Sequence, residues 1–253
     1  MRYTESVADL DARIRAHKLY SAATVESIVE DRLAQLAEPP LLLDLGCGNG
    51  NYYPLFAARS RQYVGIDINE PLLASFLERH RQGQLLIRAS MDELPQFVSG
   101  CFDAIYAIYS IYYTEQPDRL IAELARILRS DGQLVILGPG RSPHAPEIAA
   151  FLAANGGGSA QGAPKSVRIE RFHTDIVSQV ERHFRDVRVE EVDTSLRFPD
   201  ADEWATYVSA TPEVRERLPQ LDDASLQAAA AAHAGRVEGL RISKSMLTLT
   251  ATR

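Results

Sequence analysis

The stretch LLLDLGCGNG, Leu41 to Gly50, ends an apolar run with an acid and three alternating glycines. A short apolar run bounded by turn signals reads as a strand buried on both faces. Asp44 leads the set, and Gly46, Gly48 and Gly50 follow at alternate positions. Such a turn presents backbone amides and bare Cα atoms to a ligand, where side chains would block it.

The surrounding chain repeats strand and helix signals in alternation. Residues Thr24 to Leu36 place Val25, Ile28, Val29, Leu33 and Leu36 on one helical face, and Pro39 and Pro40 stop that helix before the strand at Leu41 to Asp44. A helix over Tyr52 to Ala58, the strand YVGIDIN and the helix PLLASFLERHR follow, with Pro71 in the first turn of the latter. GQLLIRAS and CFDAIYAIYS read as the third and fourth strands. PDRLIAELARILRSDG reads as a helix lined by Leu120, Ile121, Leu124, Ile127 and Leu128, with Gly132 just past its end, and QLVILGPG as a fifth strand. This order predicts an α/β fold, a doubly wound, mostly parallel sheet with helices on both faces.

The second half is less regular. Five prolines and NGGGSAQGA lie between Gly138 and Val167, around a short helix near Glu147 to Ala154, a composition that suits a lid-like loop. HTDIVSQVERHF reads as helix, DVRVEEVDTSLRF as one extended strand, Pro199 to Gly239 as mostly helical, and SKSMLTLTATR as a terminal strand that is antiparallel.

Composition narrows the function classes. The chain has 253 residues, 45% of them hydrophobic and 24% charged, enough for one large α/β domain with a small cap. No apolar run approaches the roughly 18 residues of a membrane span, and the start lacks a signal-peptide profile, so a cytoplasmic protein without a membrane partner is expected. A net charge of -7 argues against a nucleic-acid partner. The arginines at 168, 171, 182, 185 and 188 are interspersed with acids and read as a salt-bridged face. Cys47 and Cys101 read as small buried residues, and no metal site is expected.

The glycine spacing counts against one phosphate reading, and the residues after it exclude another. A dinucleotide site needs G-x-G-x-x-G, whereas here the third glycine comes one place early and an acid leads the set. No Lys-Ser or Lys-Thr follows, so a phosphate-cradling P-loop is excluded.

LDLGCGNG, followed in order by GIDIN, ASMDELP, FDAIYAIYSIYY and ELARILRSDGQLVIL, resembles the class I S-adenosylmethionine-dependent methyltransferases, closely over residues 38–138. The resemblance implies a Rossmann-like seven-stranded sheet with an antiparallel last strand. It further implies one domain over 1–253: a helical cover at 1–37, a cofactor-binding core at 38–140, a lid-like loop at 141–170 and a helical cap at 199–240. The implied cofactor is S-adenosyl-L-methionine, with S-adenosyl-L-homocysteine as product. Gly46, Cys47, Gly48 and Gly50 would pass beneath its methionine and ribose portion, with Asp44 near its amino group. Asp67 would accept from both ribose hydroxyls, since a carboxylate offers two oxygens to a vicinal diol. Ile68 would pack on the adenine, Ser90 would reach its amino group in place of the family's usual acid, with Asp92 as a nearby substitute, and Met91 would supply a backbone amide. Ala107 and Tyr20 complete the implied cofactor residues, and Asp103 would order the start of its strand.

The acceptor side rests on AIYSIYY. It lacks the Asn/Asp-Pro-Pro-Tyr element of amino-group methylases acting on bases or glutamine, and there is no Pro-Cys nucleophile. Tyr109 or Tyr112 would wall the acceptor or act as a weak base; the same pattern fits core tyrosines with a polar tip. His144 and His173 are the candidate bases, and His17, His80, His183 and His233 read as surface helix residues. Tyr3, Trp204 and the neighbouring Phe198 and Tyr207 would line or roof an acceptor pocket, or serve as packing aromatics. The expected activity is methyl transfer to an oxygen or nitrogen of a small molecule, in secondary metabolism, by a monomer or homodimer. An RNA or protein methylase, a nicotinamide-dependent oxidoreductase and a non-catalytic binding module are the alternatives.

Overall fold

The structure, a computed structural model, describes residues 6–80, 83–140, 145–158 and 167–253. It opens with α1 (Val7–Tyr20) and α2 (Val25–Leu33), followed by β1 (Leu41–Leu45), α3 (Tyr53–Arg59) and β2 (Gln62–Asp67). Next come α4 (Glu70–Arg79), β3 (Gln84–Arg88), β4 (Phe102–Ile108), α5 (Pro117–Ile127) and β5 (Leu128–Pro139). After α6 (Pro146–Ala154), α7 (Val167–Arg171) runs through a π-helical turn at Phe172–Ile176 into α8 (Val177–His183). β6 (Arg185–Asp193), β7 (Leu196–Arg197), α9 (Ala201–Ser209), α10 (Pro212–Arg217), α11 (Asp223–Ala234), β8 (Arg241–Ile242) and β9 (Ser245–Thr252) complete it. No helix among the described residues is long and apolar enough to cross a membrane.

The described residues group into two compact units. One holds 25–80, 83–140, 167–191 and 246–253, and contains the seven-stranded sheet ordered β3-β2-β1-β4-β5-β9-β6. Pairing is parallel from β3 to β5, and β9 runs antiparallel to β5 from Gln133↔Thr252 to Pro139↔Met246. Leu42, Leu43 and Leu45 are fully buried, as a strand covered on both faces requires. On one face α5 buries Leu120, Ile121, Leu124 and Ile127, each fully buried aliphatic contributing about 1.5–3 kcal/mol.

Two local expectations are corrected. α5 ends at Ile127 rather than before Gly132, and Leu128 already pairs with Phe102 as β5 begins. Gly132 does not cap the helix: a Cβ there would lie 2.8 Å from the Leu128 side chain, which folds over the bare glycine. The stretch DVRVEEVDTSLRF is not one strand, because it breaks after Asp193, whose carboxylate accepts from the Ser195 N–H at 2.9 Å and the Ser195 hydroxyl at 2.6 Å. β7 then pairs with β8 in a separate two-stranded sheet.

The other unit holds 6–24, 145–158 and 192–245. Its helices α1, α9 and α11 begin at side-chain caps: Ser6 accepts from Asp9 N, Asp200 from Glu203 N and Asp222 from Ser225 N. Its core gathers Phe151, Leu196, Trp204, Val208, Leu226, Ala230 and Ile242.

Candidate functional site

The order β3-β2-β1-β4-β5 reverses direction between β1 and β4, where open α/β sheets bind ligands beyond the carboxyl ends of their strands. Two loops leave the sheet at that point, one through Gly46 to Gly50 and one through Tyr109 and Ser110.

The first loop is tied back to β2 by Gly46 N and Cys47 N, which donate to Ile66 O at 2.7 and 3.0 Å. Gly46, Gly48 and Gly50 all have positive φ, +81°, +55° and +74°, which L side chains tolerate poorly. Their spatial reasons differ. A Cβ on Gly46 would lie 2.3 Å from Ser110 Cβ, and one on Gly50 2.5 Å from the Phe76 ring, so the protein's own packing forbids both. A Cβ on Gly48 would meet only Leu72 Cδ1, at 3.8 Å. Of the three, Gly48 alone has open space where a Cβ would stand, and the other two hold the loop close to its neighbours.

Two carboxylates flank this loop. Asp44 is buried and accepts from the Tyr63 hydroxyl at 2.8 Å; burial, which outweighs that bond, and the nearby Asp67 push its pKa up to about 7. Asp67 ends β2 and accepts from Gly48 N and Asn69 N, both at 2.8 Å. Burial raises its pKa too, against the pull of those amides. Each carboxylate oxygen accepts more than one bond, so Asp67 retains acceptor capacity beyond its two backbone donors.

The remaining sequence-derived candidates separate. Ile68 projects beside Asp67 and is 61% exposed. Cys47 is buried, its thiol pKa driven up by burial, with its sulfur lodged where Gly65 lacks a Cβ. Cys101, read as buried, is only partly so. Ser90 accepts from Asp92 N at 3.2 Å, and Met91 is half-buried against the core. Asp92 takes the Thr114 hydroxyl, Glu115 N at 2.9 Å and Gln116 N at 3.3 Å and so fixes the turn into α5. Ala107 has no exposed surface and packs into the core, so the sequence-based assignment of a cofactor contact to it is corrected. Asp103 binds Leu41 N, Arg61 and Arg129, fixing the starts of β1, β2 and β4 as expected of it.

The structure does not bring Tyr109 and Tyr112 together. Tyr109 has φ +52°, donates its N–H to Leu137 O and packs with Tyr52 and Tyr106 on the α2–α3–α4 face. Tyr112 packs on the opposite face, 5.9 Å from the Phe172 ring. His173 Nε2 lies 3.1 Å from Gly140 O. Tyr3 and His144 lie outside the described residues.

Tyr20 and Trp204 belong to the other unit. Tyr20 packs on Phe198 at 5.2 Å. Trp204 is fully buried beside Phe151 and His233, so it is a core residue and lines no open pocket. His17, read as a surface residue, lies 3.2 Å from Lys244 Nζ and 3.5 Å from the Tyr207 hydroxyl; burial and Lys244 hold its pKa well below the usual value.

Sequence reading missed four supports of the loop. His80 Nε2 lies 3.0 Å from Gly50 O and its ring packs on Tyr53 and Phe76. The Ser110 hydroxyl donates to Leu45 O. Tyr63 holds Asp44, and Tyr52 lies among Glu26, Tyr109 and Asp44, its pKa raised first by burial and then by those groups. Only the aromatic repeats YY at 52–53 and YSIYY at 109–113 signalled any of this.

A doubly wound sheet with a glycine loop after β1 and an acid ending β2 defines the chain's class: it carries a class I S-adenosylmethionine-dependent methyltransferase domain. Residues 43–136 match the family model described as a methyltransferase domain. Nocamycin O-methyltransferase from Saccharothrix syringae is 34% identical over 144 residues, 52% of this chain and 51% of that protein. A ubiquinone biosynthesis O-methyltransferase from Dechloromonas aromatica is 30% identical over 105 residues, 40% of this chain and 45% of that protein. The chain thus spans about half the length of the curated relatives it matches. Phosphoethanolamine N-methyltransferase 2 of Haemonchus contortus, solved with phosphomonomethylethanolamine and S-adenosylhomocysteine, shares the fold at TM-score 0.55 and 16% identity, over 90% of this chain and 52% of that one. S-adenosylmethionine is the cofactor of such a domain, and the residues present fit it: an open glycine flanked by one buried and one partly buried carboxylate.

Proposed function

We propose that the protein transfers a methyl group from S-adenosylmethionine to an oxygen or nitrogen of a small molecule. The observation that carries this reading is the pair of carboxylates at the glycine loop, Asp44 buried against the Tyr63 hydroxyl and Asp67 partly buried and accepting from Gly48 N at 2.8 Å. Buried carboxylates repel the pyrophosphate of a nicotinamide dinucleotide and attract a cationic ligand such as a sulfonium amino acid. Asp44 would hold the amino group, Asp67 the ribose, Gly48 the open floor and Ile68 the adenine face. Bound there, the cofactor supplies an electrophilic methyl group. Charge is lost rather than built up in that displacement, so positioning and exclusion of water carry most of the acceleration and a strong base is optional. Tyr109, on the same sheet face as Tyr52, is the candidate wall for the acceptor.

A small-molecule acceptor is favoured over RNA by the net charge of -7 and by the pairing of the arginine-rich segment, where Arg171 meets Asp175 and Arg188 meets Glu190. The O-methyltransferase relatives agree with that acceptor class. The test is release of S-adenosylhomocysteine from S-adenosylmethionine over a panel of phenols, carboxylic acids and amines. Acceptor-dependent release is expected; binding of the cofactor with no release over the whole panel would favour a non-catalytic module.

A further inference from the structure

In the unit that holds α1 and β7–β8, Tyr20, Ser21, Ala22, Asp193, Ser195, Arg197 and Arg241 line a cavity of about 280 Å³. Its frame is bonded on several sides. Ala22 N donates to Ser195 O at 3.1 Å, and the Ser21 hydroxyl donates to Ala23 O at 2.6 Å and Thr194 O at 3.1 Å. Thr194 N donates to Lys244 O at 3.0 Å.

The charges inside do not balance. Arg197 and Arg241 are direct cross-strand partners in the β7–β8 pair, a position where like charges destabilise a sheet. Neither forms an ion pair among the described residues. Arg241 Nη2 donates to the Ser195 hydroxyl at 3.0 Å, and its Nε is buried with no partner. The Arg197 guanidinium lies along Gly239, where an added Cβ would come within 3.7 Å. Asp193 is the one acid of the lining, one negative charge against two positive; its carboxylate is engaged by the Ser195 N–H and hydroxyl, which hold its pKa low with a smaller contribution from Arg241 and Arg197.

We propose that this cavity binds the oxyanion of a small molecule, a carboxylate or a phosphate monoester, between Arg197 and Arg241, with the molecule's apolar body against Tyr20. An anion there relieves the repulsion across the strand pair and supplies the acceptor that the buried Nε lacks. Guanidinium forks bind both oxyanions in bidentate fashion, and an aromatic wall favours a ring or chain attached to the anion. All seven lining residues belong to this unit, whereas the cofactor loop belongs to the other.

The test is calorimetric titration of the full chain at low ionic strength with phenyl phosphate, benzoate and the neutral benzyl alcohol. At least one anion binds with unit stoichiometry and the alcohol does not; the tighter anion identifies the phosphate or the carboxylate as the natural group. Arg241→Gln and Arg197→Gln each weaken binding at least tenfold, Arg241→Lys weakens it less, and S-adenosylhomocysteine affinity is unchanged in all three. Arg197 is exposed, so its variant folds and carries the test even if Arg241→Gln does not. Failure of wild type to bind either anion at millimolar concentration, or equal binding by the Arg197→Gln variant, overturns the proposal, and neither result touches the cofactor site.

Discussion

The Gly48 N–H donates to Asp67 Oδ2 at 2.8 Å, so the acid that ends β2 also fixes the one loop glycine whose Cα faces open space. The same carboxylate takes Asn69 N on its other oxygen. Removing it therefore frees the loop and deletes the acceptors for a ribose diol together. Asp67→Ala weakens S-adenosylhomocysteine binding about a hundredfold or more, since hydrogen bonds to a charged group contribute about 1.5–3 kcal/mol each. Asp67→Asn, which keeps one acceptor oxygen, weakens it less. Titration calorimetry of both variants checks the order.

The three loop glycines respond differently to alanine. Gly46→Ala and Gly50→Ala drive a Cβ into Ser110 and Phe76 and lose about 3 kcal/mol or more of stability, read by urea unfolding. Gly48→Ala meets no clash and loses only the left-handed strain of about 1–2 kcal/mol, while cofactor affinity falls. Equal destabilisation at all three positions would contradict this division of roles.

Asp44 makes stability depend on pH with a definite sign. Its folded pKa of about 7 lies above the ordinary 3.8, so the folded state holds the proton more tightly. Its contribution is then most favourable below about pH 4, falls as pH rises and levels off above about pH 7. Asp44→Asn removes this slope: the variant's Tm gains on wild type between pH 5 and pH 8. Binding of the cationic cofactor strengthens over the same interval in wild type only. A Tm difference that does not change with pH would remove Asp44 from the account.

Tyr109 and Tyr112, close in sequence and on opposite faces, separate by substitution. Tyr109→Ala lowers kcat with any accepted substrate about tenfold by removing the wall that positions the acceptor. Tyr112→Phe leaves turnover within about twofold, and Tyr112→Ala costs about 3 kcal/mol by opening a cavity beside Phe172. Steady-state rates and urea unfolding of the three variants check this.

Much of the sheet was legible because its signals are local. Apolar runs stop at prolines and glycines, and the 3.6-residue spacing of Leu120, Ile121 and Leu124 marks a helix whatever it packs against. The end of α5 was illegible because Gly132 serves the Leu128 side chain, a contact that no capping pattern encodes. Asp44 and Asp67 stood out by their place at strand ends. His80 and Ser110 did not, since each supports the loop from a distant point in the chain through a hydrogen bond that leaves no periodic trace. Trp204 looked available to a ligand because spacing gives a face but not what covers it; it is fully buried.

The most direct test is calorimetric titration of the full chain with S-adenosylhomocysteine and, separately, with NADH, repeated on Asp67→Ala. S-adenosylhomocysteine binds at one site per chain, the variant loses it, and NADH does not bind. Binding of NADH alone, or unchanged S-adenosylhomocysteine affinity in the variant, would contradict the assignment of this loop to a sulfonium cofactor.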